Sequence, residues 1–136
     1  MPLSQAVMID TSAYFAITDK KDKSYSDALN FIKTNALPLV TTDCIIVETL
    51  NLINQRLGHH YAIAIGKKLF DHPQTEVIKV TAEDTAAAWM IFQRYDDKDF
   101  SFTDCLTFAV MERFKIPAAF AFDDHFKQYG KFKCLP

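Results

Sequence analysis

The chain has 136 residues, with 15 Lys and Arg against 17 Asp and Glu and a hydrophobic share of 49%. Those totals suit one domain over residues 1–136 and exclude a disordered tail, a collagen-like repeat and a coiled coil. The net charge of −2 gives no basic footprint for nucleic acid. The three glycines (Gly58, Gly66, Gly130) are too scattered for a phosphate-cradling loop.

Taken in chain order, residues 6–9 form a short apolar run that predicts a buried strand. Helical spacing follows weakly over 12–18 and better over 24–35, where Ala28, Phe31 and Ile32 share a face. Residues 38–41 predict a second strand. Thr42 or Asp43 can cap a long helix to about Leu57, and Gly58 ends it. On that helix Ile46, Leu50, Ile53 and Leu57 form an apolar stripe, which Ile45, Leu52 and Val47 widen. Glu48 falls on a narrow polar arc with Asn51 and Gln55. A further helix covers 60–70 and stops before Pro73.

Residues 76–80 predict a third strand. Thr81 then opens a helix to about Tyr95, with Glu83 and Asp84 in its first turn. Residues 96–99 are a charged loop. Ser101 and Asp104 have capping-box spacing, with Asp in place of Glu, at the head of an apolar helix to Phe114. Residues 117–122 predict a central fourth strand, Asp123 the start of a short helix, and 131–134 an edge strand. Strands alternating with helices imply an α/β sandwich around a mainly parallel sheet of four or five strands, covered on both faces.

No segment has signal-peptide or membrane-span character. Cys44, Cys105 and Cys134 form neither a disulfide framework nor a metal motif. A reducing cytoplasm is the expected setting, with the thiols packed as small hydrophobes. The adjacent His59 and His60 lack the spacing of a helical zinc pair and read as an exposed helix boundary. His72 reads as a solvated loop residue. Trp89 reads as a core or interface anchor. Lys67, Lys68, Lys127, Lys131 and Lys133 read as solvated surface charges.

The acids are thirteen Asp and four Glu. Asp10 follows the first strand, and Asp123 and Asp124 follow the fourth. In an open parallel sheet the ligand crevice lies beyond the carboxyl ends of the strands, where the strand order switches. Asp104 starts a helix and Glu48 lies within one. Each has a purely structural explanation, as a helix cap, a dipole partner or a solvated charge. One shared site would account for all four. Clustered carboxylates raise one another's pKa, and a hard divalent cation such as Mg²⁺ or Mn²⁺ relieves that. Such a site suits phosphodiester hydrolysis.

At these residues the sequence resembles the PIN-domain ribonucleases, most of all the VapC-type toxins of bacterial toxin–antitoxin pairs. Val7-Met8-Ile9-Asp10-Thr11-Ser12 resembles the opening motif of that family. Thr41-Thr42-Asp43-Cys44-Ile45-Ile46-Val47-Glu48 resembles its strand-to-helix segment. Phe100-Ser101-Phe102-Thr103-Asp104-Cys105-Leu106-Thr107 resembles its third acidic motif, and Ala121-Phe122-Asp123-Asp124-His125-Phe126 its closing one. In the last motif Ala121 stands where Thr is usual, and His125 stands at the second acidic position.

The resemblance implies a PIN-like fold and a metal-dependent endoribonuclease acting on single-stranded RNA. Asp10, Glu48, Asp104 and Asp123 would be its catalytic, metal-binding acids, with Mg²⁺ or Mn²⁺ as cofactor. Thr11, Ser12 and Thr103 would be hydroxyls that orient metal-bound water. The products would carry 5′-phosphate and 3′-hydroxyl ends. A VapB-like antitoxin and a homodimer are the implied partners, and no membrane is. Asp124 and Asp99 are left as auxiliary acids at most. A haloacid-dehalogenase-like phosphatase needs Asp-x-Asp where this chain has Asp10-Thr11-Ser12. A receiver domain needs an Asp after the third strand, where this chain has Val80-Thr81. A non-catalytic PIN-like module that binds RNA or protein is the remaining alternative.

Overall fold

A computed structural model describes residues 3–71 and 73–136, so the expectation for His72 lies outside the described residues. Five strands form one sheet: β1 (Val7–Ile9), β2 (Leu39–Thr42), β3 (Glu76–Ile78), β4 (Ala118–Phe120) and β5 (Lys133–Leu135). The sheet order is β3-β2-β1-β4-β5, and every neighbouring pair is parallel. The middle strand is therefore β1, and β4 is interior beside it rather than central. All three residues of β1, and all three of β4, are buried. Successive side chains on a strand point to opposite faces, so both faces of the sheet are covered there. The outer strands are more exposed, as edges should be.

Helices make the crossovers. α1 (Thr11–Thr18) and α2 (Tyr25–Thr34) join β1 to β2. α3 (Asp43–Arg56) and α4 (His59–Phe70) join β2 to β3. α5 (Ala82–Arg94) and α6 (Phe102–Phe114) join β3 to β4, and the short α7 (His125–Tyr129) joins β4 to β5. Their starts follow from capping chemistry. Asp10 caps α1, and Thr42 caps α3 by accepting the Ile45 N–H at 3.0 Å. Thr81 with Asp84 and Ser101 with Asp104 close full capping boxes. Gly58, at φ 110°, makes the left-handed turn between α3 and α4.

Three strand ends fall elsewhere than the sequence pattern predicts. β3 stops at Ile78 because the Val80 N–H donates to the Asp43 carboxylate at the head of α3 (3.1 Å). β4 stops at Phe120, and the Phe122 N–H donates instead to the Ser12 hydroxyl (3.0 Å). β5 lies two residues later than the expected start. The last helix begins at His125 rather than Asp123, because the Asp123 carboxylate accepts the His125 N–H in a tight local turn (3.1 Å).

The core joins β1, β4 and α6 with buried residues of α1 and α3. An aromatic group of Phe100, Phe108, Phe126 and Tyr129 locks α7 onto α6, with Phe108 and Tyr129 stacked at 4.2 Å. Of the twelve phenylalanines four are buried and six are partly buried against the core, while Phe70 and Phe92 are exposed. Two side chains depart from expectation. Val47 does not widen the buried stripe of α3 but is 60% exposed. Trp89 is 54% exposed and so is not a core residue. Cys105 is buried while Cys44 and Cys134 are half-buried, all as free thiols. His59 and His60 are exposed at the start of α4. Among the described residues no helix is long and apolar enough to cross a membrane.

Candidate active site

The strand order reverses direction between β1 and β4. The first three strands run outward on one side of β1, and β4 returns to its other side. At such a switch the segments that follow the two strands leave in opposite directions, and the crevice lies beyond their carboxyl ends. Asp10 leaves β1 there, its N–H still donating to the Phe120 carbonyl of β4 at 3.1 Å. Asp123 follows β4 across the same crevice.

Asp10 is 2% exposed. One carboxylate oxygen accepts both the N–H of Ser12 (3.1 Å) and its hydroxyl (2.7 Å). That hydroxyl also receives the Phe122 N–H, so Ser12 ties Asp10 to the segment carrying Asp123. Burial, and then the charge of Asp123, push the Asp10 carboxyl up to about 7; the Ser12 contacts oppose this and Glu48 adds to it.

Asp104 sits in the first turn of α6, where its carboxylate accepts the Ser101 N–H at 3.0 Å. Burial and the neighbouring Asp10 push it up to about 6, while His125 and the Ser101 N–H pull it down. Asp123 is raised by burial and by Asp104, with His125 acting the other way. Glu48 is half-buried on α3, close enough for its charge to raise both Asp10 and Asp104. It borders a groove of about 430 Å³ lined also by Asp43, Val47, Asn51, Thr103 and Leu106.

Four segments thus bring Asp10, Glu48, Asp104 and Asp123 into electrostatic contact. The hydroxyls do not behave alike. Ser12 lies in the crevice. Thr103 lines the groove beside Glu48. Thr11 is buried toward α3, where the Thr49 hydroxyl donates to it at 3.3 Å. Asp124 and Asp99 are exposed.

The sequence reading left His125 without a role. Its Nδ1 lies 2.6 Å from Asp104 Oδ2 and 3.8 Å from Asp123 Oδ2. The atom is buried, yet no hydrogen bond is aligned on it despite the short contact to Asp104. Ligand atoms of Asp104, Asp123 and His125 all lie within 4.8 Å of one another. The one available signal was His125 standing at an acidic motif position. Crowded carboxylates with one imidazole nitrogen among them form a donor set that fits a divalent cation.

The fold has known counterparts. The PIN domain family model matches residues 7–132. The 23S rRNA-specific endonuclease VapC20 of Mycobacterium tuberculosis is 29% identical over 131 residues, covering 96% of this chain and 98% of that protein. The crystal structure of that VapC20, a sarcin-ricin loop cleaving toxin, matches with a TM-score of 0.89, covering 96% of this chain and 99% of that one. FitAcB from Neisseria gonorrhoeae shares the fold, with a TM-score of 0.73 at 9% identity over 96% of each chain. DNA-bound VapBC from Salmonella typhimurium does so at 0.65 and 10% identity, covering 95% of this chain and 96% of that one.

Proposed function

The chain belongs to the PIN domain family, and from that premise we propose that it is a metal-dependent endoribonuclease, the toxin of a VapBC-type pair. The observation that carries this reading is the gathering of four carboxylates, from four separate segments, on the crevice where the strand order switches. Two of them have been driven far above the usual carboxylate range by burial and mutual repulsion. Fold alone does not fix chemistry, but this cluster is a site built for positive charge. The VapC20 relative acts on 23S rRNA, so ribosomal RNA is the first substrate to try.

In this reading Asp10, Glu48, Asp104 and Asp123 hold Mg²⁺ or Mn²⁺. A bound cation supplies Lewis acidity, which makes water a better nucleophile and stabilises charge on the scissile phosphate. The chain's own groups do the positioning. Ser12 fixes one Asp10 oxygen through two hydrogen bonds. The α6 N-terminus fixes Asp104 through Ser101. Thr103 and Asn51 line the groove by which an extended strand of RNA would approach Glu48. The phosphodiester is cut to 5′-phosphate and 3′-hydroxyl ends. A cytoplasmic setting, a VapB-like antitoxin and a homodimer belong to the same proposal, as does residues 1–136 acting as one PIN domain.

The test is cleavage of 23S rRNA and of unstructured RNA by the purified chain, with Mg²⁺, Mn²⁺ or chelator. Cutting that needs the cation and falls about 100-fold or more in Asp10→Asn is the expected result. RNA retained without cutting under every condition would replace the nuclease with a binding module.

A further inference from the structure

His125 opens α7 directly after the Asp123 turn, so its backbone position is set by Asp123 and its ring by Phe100. The Asp123 carboxylate accepts its N–H at 3.1 Å. The Phe100 ring meets the imidazole edge-on, with centroids 5.8 Å apart. Held in this way, the ring presents Nδ1 to the acids, 2.6 Å from Asp104 Oδ2 and 3.8 Å from Asp123 Oδ2. Nδ1 is shielded from solvent and has no aligned hydrogen bond. Ligand atoms of Asp104, Asp123 and His125 all lie within 4.8 Å of one another, so one cation could be reached by all three.

We propose that His125 is a nitrogen ligand of the cation held by Asp104 and Asp123, which biases this site toward first-row transition cations over Mg²⁺. The inference rests on the metal-dependent reading above and adds to it. Its chemical basis is ligand preference. Mg²⁺ keeps to oxygen and water, whereas imidazole suits transition cations and binds them more tightly along the Mn²⁺ to Cu²⁺ series. A carboxylate at position 125 would give an all-oxygen shell. An imidazole there makes the shell mixed.

The probe is Mn²⁺ added to the full chain, read by pulsed electron paramagnetic resonance for coupling to ¹⁴N. Wild type is expected to show that coupling, and His125→Asp to bind Mn²⁺ without it. Calorimetry supplies a second readout. The ratio of Mn²⁺ to Mg²⁺ affinity is expected to fall about tenfold in His125→Asp, the low end of what losing a contact to a metal shell costs. If Mn²⁺ binds wild type with no ¹⁴N coupling, the ligand assignment is wrong while the nuclease reading stands. An unchanged affinity ratio in a folded His125→Asp would overturn it equally. Failure to bind either cation, together with failure to cut RNA, would overturn both.

Discussion

Asp104 shows how one side chain carries two duties that mutagenesis can separate. It accepts the Ser101 N–H as part of a capping box, and it stands in the acid cluster. Asparagine keeps an acceptor oxygen for the cap, whereas alanine removes it. Both Asp104→Asn and Asp104→Ala are therefore expected to lose RNA cleavage. Only the alanine variant should also lose about 1 kcal/mol of stability through the broken cap, read as a lower Tm. Equal melting of the two variants would show that the cap is not carried by this carboxylate. Ser12 has a comparable double role, since its hydroxyl donates to Asp10 and accepts from Phe122. Ser12→Ala should cost about 1–2 kcal/mol in urea unfolding and weaken cleavage by loosening Asp10. These double roles also explain why single acids were ambiguous in the sequence. The cap and the ligand positions coincide, and only the grouping of four segments separates the two meanings.

At the scale of elements, α5 and α6 are joined by an ion pair between a buried carboxylate and an exposed guanidinium. Asp84 is 2% exposed and accepts two bonds from the Arg113 guanidinium, both at 2.7 Å. Those bonds hold its carboxyl below the usual range, against the opposing effect of burial. Its contribution to stability is thus present above the unfolded pKa and is lost as pH falls through the depressed folded value. Arg113→Ala leaves Asp84 with only the Thr81 N–H and, the guanidinium being partly solvated, should lower stability by about 1 kcal/mol at pH 7. The deficit should shrink in acid, and a melting series from pH 7 to pH 3 tests both parts.

Nothing in the spacing of Asp84 and Arg113 announced this pair, because 29 residues separate them and only the packing of two helices brings them together. The alternation of elements, their caps and the buried strands were legible, since apolar runs and Ser, Thr and Asp at helix starts act locally. Strand ends were less so. Ser12 and Asp43 take backbone N–H groups that would otherwise extend β4 and β3, and those contacts are long-range. Val47 misled for a related reason: its helical angle fits the apolar stripe, but it faces the groove beside Glu48 rather than the sheet.

For the molecule as a whole, the acid cluster sets how stability responds to pH. The folded carboxyls of Asp10 and Asp104 are raised to about 7 and about 6 from 3.8. Between pH 4 and 7 the folded protein therefore holds protons that the unfolded chain has released. Stability must fall as pH rises through that window, because the unfolded state binds fewer protons there. With chelator present, Tm is expected to be higher at pH 5 than at pH 8, and Mn²⁺ should recover most of the loss at pH 8. A flat profile in chelator would mean that the acids do not repel one another as placed. The sequence total of −2 concealed this, since an overall charge says nothing of how tightly a few like charges are gathered.

The crevice is assembled from the two ends of the chain. The Ser12 hydroxyl that steadies Asp10 meets a backbone N–H 110 residues away, and β1 completes its pairing only with β4. Contacts so distant in sequence form late, because a long loop must close before they contribute. When a ribosome has made the first hundred residues, two of the four acids are present and the strand that gathers the others is not. Cutting power would then be acquired only once β4 and the turn after it have emerged. A ribonuclease assembled in that order would stay inert while its own synthesis is under way.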